Sequence, residues 1–120
     1  MADELSYAMQ VTYTHNGRTL QLPATTITVD VTGNNIVSGV MLATVASAVA
    51  VPIGAIGTSG FAVFRNLDAT NYVNIGVDSA GLVVQTKLLA GEQCMMRMTA
   101  APYVQADTAD CLLSYTVIEN

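Results

Sequence analysis

Asp68, Asp78, Asp107 and Asp110, with Asn66, Asn71 and Asn74 set beside the first two, are the side chains of this sequence whose spacing invites a chemical question. Such oxygens can hold calcium, but calcium loops place several carboxylates at regular intervals within one short run. Here the acids are sparse and the spacing fits no such loop, so no metal is expected. The same residue types also bond backbone amides in turns. Asn66, Asp68 and Asn71 are therefore expected to knit a corner between Phe64 and Tyr72. Asp78 with Gly81 is expected to close a turn whose last residue is left-handed.

The remaining candidates for chemistry are few. His15 is the single histidine; one imidazole does not make a metal site, and at a hairpin tip it has no buried nucleophile to serve. Cys94 and Cys111 lack a Cys-x-x-Cys spacing. If the strands at 93–99 and 111–118 paired as a hairpin, the two thiols would lie out of register, so both are expected to be free and apolar in character, as in a reducing cytoplasm. Gly54, Gly57 and Gly60 in "GAIGTSG" resemble a phosphate loop only in spacing: the strand-like "FAVF" follows, where a phosphate cradle needs a helix N-terminus and usually a lysine. Met41, Met95, Met96 and Met98 read as core or interface filler. With no clustered nucleophile, base or ligand set, neither an enzyme nor a cofactor is expected.

The elements that must position these residues read as strands. Tyr7, Met9, Val11 and Tyr13 alternate with Ala8, Gln10, Thr12 and Thr14, the period of a strand with one wet face. Asn16-Gly17 is a strong hairpin signal, since a type I′ turn needs two positive φ angles. Arg18 to Leu22 returns, Pro23 is expected to break the ladder, and "TTITVDVT" continues as a further strand with Ile27, Val29 and Val31 inward. After "GNN" come two or three strands between Ile36 and Ile56, with breaks near Ser47 and Pro52. Strands then begin near Phe61, Tyr72, Leu82, Gln93 and Cys111, with "APYVQADTAD" as the loop before the last. Eight or nine short strands at turn spacing predict an all-β fold, a single antiparallel β-sandwich of jelly-roll or Ig-like kind over residues 1–120, with a short N-terminal arm at about 1–7.

Composition narrows the partners. Apolar residues are 52% of the chain and charged residues 11%, against roughly 25% charged in an ordinary globular protein. Four scattered basic residues and a net charge of −5 give no patch for nucleic acid. The start "MADELSYAMQ" has no secretory character. Ile36 to Ile56 is long and uncharged enough to ask about a membrane, but Pro52, the glycines and the β-branched residues disfavour a helix, and no aromatic or basic anchors flank it. No membrane span is expected. Instead Ile36, Val40, Met41, Val45, Val49, Val51, Ile53 and Ile56 are expected at an interface with other subunits.

"FRNLDATNYVNIGVDSAG", "KLLAGEQCMMRM" and "YVQADTADCLLSYTVIE" together resemble the carboxy-terminal part of small virion proteins of tailed bacteriophages. The resemblance covers Phe61 to Glu119 and rests on strand and turn patterns. It implies a β-sandwich present in many copies on the particle, with no catalytic residue. The expected function is a capsid decoration (cement) protein, a homotrimer that binds the major capsid protein, assembled in the host cytoplasm and carried on the virion surface. A phage tail, adaptor or fibre subunit is the first alternative. A glycan or host-surface binding module is the second, although Trp is absent and Phe and Tyr are few.

Overall fold

A chain that alternates apolar and polar residues in short runs can bury one side of each run only by pairing runs into sheets. The computed structural model describes residues 5–78 and 81–119. Among these, every regular element is a strand: β1 (Leu5–His15), β2 (Arg18–Val29), β3 (Ile36–Ala43), β4 (Val49–Ala50), β5 (Ser59–Asn66), β6 (Val73–Asp78), β7 (Leu82–Leu88), β8 (Gln93–Arg97), β9 (Pro102–Ala106) and β10 (Cys111–Glu119). The protein is all-β, as its periodicity predicts, and all its strand pairs are antiparallel. It divides into two compact units, Met1–Thr32 and Gly33–Asn120.

The first unit is the two-stranded ribbon β1–β2. Asn16 and Gly17 take φ of 49° and 76°, the two left-handed residues of a type I′ turn, and so His15 falls opposite Arg18. Pro23 interrupts the ladder, as expected, but β2 runs on through it as one strand. The ladder runs Met9 opposite Thr25 and then Val11 opposite Leu22, so Gln10 faces both Pro23 and Ala24 in a β-bulge. A bulge leaves a residue unpaired, which is where a proline without an N–H is tolerated. Of the arm expected at 1–7, residues 1–4 lie outside the described ones, and Leu5–Tyr7 belong to β1.

The second unit holds the sandwich, so the fold expected over 1–120 is built from Gly33 onward. Its two four-stranded sheets have the orders β3-β10-β5-β8 and β4-β9-β6-β7. Only β6–β7 is a hairpin within one sheet; each other connection passes to the opposite sheet. That pairing of two Greek keys is the eight-stranded jelly roll rather than the Ig-like order. One core joins the sheets: Phe64, Leu113, Tyr115 and Val117 from the first meet Val73, Ile75, Leu88 and Val104 from the second. The stretch expected to be a loop before the last strand contains β9, whose Pro102, Val104 and Ala106 are buried. Consequently β8 pairs with β5, not with β10. The proline stands at the first position of its strand, where the ladder loses least.

Gly76 on β6 shows how closely the second sheet packs: a Cβ there would collide with the carbonyl of Val83 on β7. The register slips at the same place, between Ile75 and Gly76.

Candidate functional site: two uncovered apolar faces

The Asn/Asp cluster is a corner with its bonding capacity used internally. Asn66 is fully buried at the end of β5. Its side-chain NH2 donates to the carbonyls of Asn71 (2.9 Å) and Leu88 (3.1 Å), and its Oδ1 accepts from the Asp68 amide (2.9 Å). Asp68 in turn accepts from the amides of Asn71 (2.6 Å) and Thr70 (2.9 Å). Those two backbone bonds hold its carboxyl below the usual carboxylate range. Asp78 accepts from Gly81 (2.9 Å), whose φ is 129°; the two residues between them lie outside the described ones. Asp110 accepts from the Val45 amide (3.0 Å), and Asp107 accepts a hydrogen bond from Thr108 (3.1 Å). Among the described residues no three His, Cys, Asp or Glu side chains gather as metal ligands do.

One carboxylate escaped the sequence reading. Glu119, at the end of β10, accepts from the Gly57 amide (2.7 Å), the Asn34 amide (2.9 Å) and the Asn35 side-chain amide (3.2 and 3.3 Å). The Gly57 bond, then those from Asn34 and Asn35, lower its pKa. The glycine loop thus binds an oxyanion, but one supplied by its own chain. Gly33 is needed beside it, because a Cβ there would overlap the Glu119 side chain. Nothing local in the sequence pairs residues 34–35, 57 and 119; only the strand order does.

The nucleophile candidates are poorly placed for reaction. His15 is exposed beside the Tyr13 ring, with centroids 6.2 Å apart. Cys94 and Cys111 are free. Burial pushes both thiols up, and for Cys111 the charges of Asp68 and Asp110 add to it, so neither is activated as a thiolate. An open cleft of about 550 Å³ passes Arg65, Lys87, Glu92 and Cys94. Lys87 lies over the Tyr72 ring at 4.2 Å, and the Glu92 side chain is spent on the Leu89 amide (2.8 Å).

The residues expected at an interface separate into two groups. Met41, Val51 and Ile56 are buried in the sandwich core, and Val49 and Ile53 pack against it. Ile36, Val40 and Val45 are exposed. The reason is the strand period: within β3 the odd residue Met41 points inward, while Ile36, Val40 and Leu42 point outward. Cross-strand partners complete a face on β3 and β10 whose rows are Leu42–Leu112, Val40–Ser114, Ser38–Thr116 and Ile36–Ile118. Ile36 is 65% exposed, Val40 59% and Leu112 52%. No charged residue belongs to it.

The ribbon carries the second such face. Leu5–Val29, Tyr7–Ile27, Met9–Thr25, Val11–Leu22 and Tyr13–Leu20 share one side, with His15–Arg18 at its tip, and Ser6–Thr28, Ala8–Thr26, Thr12–Gln21 and Thr14–Thr19 share the other. The inside expected for Ile27 is therefore this apolar side, and Ile27 is exposed on it, as are Tyr13, Leu20 and Leu22; Met9 is 69% exposed. Sequence reasoning found the alternation but took it to face a core.

Compared with models of protein families, with curated proteins and with solved structures, the chain matches none.

Proposed function

We propose that this protein is a structural subunit that works in many copies: a capsid decoration protein of a tailed-phage virion, forming a homotrimer over the major capsid subunits. The carrying observation is the pair of apolar faces, on the ribbon with Arg18 at its tip and on β3–β10, exposed in the single chain. Apolar area removed from water is worth roughly 25 cal/mol per Å², and a contact repeated through a shell gains further from multivalency. The jelly roll supports the reading only weakly, since capsid subunits, lectins and cupins share it. The internal use of the Asn, Asp and Glu oxygens supports it more, because it leaves little polar equipment for turnover. The resemblance of Phe61–Glu119 to virion proteins supplies the virion and capsid part of the proposal.

Sedimentation of the purified chain over a wide concentration range, followed by its addition to phage heads stripped of decoration, tests this. A discrete oligomer that saturates the heads is expected. A monomer at every concentration that leaves heads bare overturns the proposal.

A further inference from the structure

We propose that the outer face of the second sheet is a binding site for a neutral pyranose sugar, with Tyr103 as the stacking surface and Asn74, Gln105 and Lys87 as the hydrogen-bonding groups. The inference goes beyond the assembly reading and does not depend on it.

Strand phase builds the site. Val104 and Ala106 of β9 and Val73 and Ile75 of β6 are buried in the core. Tyr103, Gln105 and Asn74, which alternate with them, therefore point out of the sandwich, and each is half-buried. Cross-strand pairing sets Gln105 beside Asn74 and Asn74 beside the exposed Lys87 in one row, with Tyr103 in the next. The neighbours of Tyr103 in its own row are Ala50 on β4 and Gly76 on β6. Neither has a side chain larger than a methyl group, so the ring lies in a shallow trough. A Cβ on Gly76 would point outward and meet the Val83 carbonyl; the bulged backbone of β7 thus stands beside that trough as a wall.

The polar groups are held but not used up. Gln105 Nε2 donates to the Val45 carbonyl (2.9 Å), which fixes the amide and leaves Oε1 as an acceptor. Lys87 Nζ sits 4.2 Å from the centre of the Tyr72 ring, a contact that leaves N–H donors unspent. The Tyr72 hydroxyl is hydrogen-bonded to Asp107, which ties that ring down. The Asn74 carboxamide has no hydrogen-bond partner among the described residues.

This chemistry selects a sugar. A carboxamide both donates and accepts, as a hydroxyl does, so Asn74 and Gln105 side by side match two adjacent hydroxyls of one ring. The face of the Tyr103 ring takes the C–H side of the same sugar. A strongly charged ligand is disfavoured, because Lys87 is balanced by Asp107 on the far side of Tyr72, whereas anion sites gather cations. Size disfavours a protein. Three strands and two rows make a patch about 10 Å on a side, room for one or two sugar rings and far below the roughly 800 Å² per partner of a standard protein interface.

Titration of the isotopically labelled full chain with the methyl glycosides of glucose, galactose, mannose and N-acetylglucosamine, followed by amide chemical shifts, tests this. A saturable shift at Asn74, Lys87, Tyr103 and Gln105 is expected with at least one glycoside at millimolar concentration, with Val40 and Leu112 on the opposite outer face unmoved. Tyr103→Ala and Lys87→Ala each weaken binding roughly tenfold, and Tyr103→Phe, which keeps the ring, retains it. Lys87 is exposed, so its variant keeps the fold if Tyr103→Ala does not. No saturable shift with any glycoside overturns the inference, and so does binding that both alanine variants leave intact. Saturation by sodium phosphate in place of the glycosides also overturns it, in favour of an anion at Lys87. A monomer in sedimentation removes the assembly reading and leaves this inference standing.

Discussion

The ribbon and the sandwich are written in one alphabet of alternating Val, Ile, Leu, Tyr and Thr, yet only one of them has an inside. In the sandwich, alternate residues of β5, β10 and β9 reach a shared core and are lost to solvent. In the ribbon, the same alternation separates a threonine face from an apolar face whose side chains remain exposed. The difference lies in what each sheet is given to pack on within its own unit: a second sheet in one case, none in the other. Period-two patterning thus specifies that a face is to be covered, and says nothing of whether the cover comes from the same molecule.

Removing a large side chain from each region gives the largest expected difference between them. Phe64 is fully buried, so Phe64→Ala loses about 3–5 kcal/mol, transfer and cavity together. Tyr13 is about half exposed, and Tyr13→Ala changes unfolding in dilute solution by no more than about 0.5 kcal/mol. Urea denaturation at a concentration below association measures both. Similar losses at the two sites would mean that the ribbon face is covered within the monomer, and that ribbon and sandwich do not differ in this respect.

A polar pair sharpens the same point. Asn66→Ala strands the Asp68 amide and the carbonyls of Asn71 and Leu88 in or near the core, at a cost of about 3 kcal/mol. Thr12→Ala, on the wet side of the ribbon, is expected to stay within about 0.5 kcal/mol. Thermal unfolding of the two variants side by side decides it.

These residues also show how far the sequence was legible. The Asn16-Gly17 turn and the Asn66–Asp68–Asn71 corner are local: their partners lie within a few positions, and residue chemistry alone identifies them. Strand order is not local. β9 was hidden because Pro102 and Ala106 carry weak strand preference, and their burial comes from sheet position rather than propensity. The split of Ile36–Ile56 into core and surface failed for a related reason. An uncharged run gives no polar phase by which to tell inward Met41 from outward Val40. Glu119 was invisible because its partners are brought to it only when β10 pairs with β3 and β5.

The hairpin turn offers a smaller effect with a regional readout. Gly17 has open space around it, so Gly17→Ala meets no clash, but its φ of 76° is unfavourable for a side chain. The expected cost is about 1 kcal/mol, confined to β1 and β2. Hydrogen exchange should quicken for ribbon amides and stay unchanged for amides of β5 and β10. Equal acceleration in both regions would show that the two units unfold as one.

Acid is expected to act most gently, and on one region only. Glu119 is held below its ordinary 4.5, and Asp68 below its ordinary 3.8, by backbone amides that bond the charged form. A carboxyl whose folded pKa is depressed binds its proton more readily in the unfolded chain. Its stabilisation is therefore whole above the ordinary value and is lost as the pH falls through the lowered folded value. Glu119→Gln should accordingly lower the sandwich melting temperature near pH 7, with the gap to the natural protein closing as the pH falls from the ordinary 4.5 through the lowered folded value and both approach the uncharged state. Because Leu5–Val29 contains no Asp or Glu, ribbon amides should exchange no faster, relative to their intrinsic rates, across that same interval. A gap that stays constant with pH would mean that the Glu119 carboxylate packs against Gly33 and Asn34 through shape, and that its charge contributes nothing.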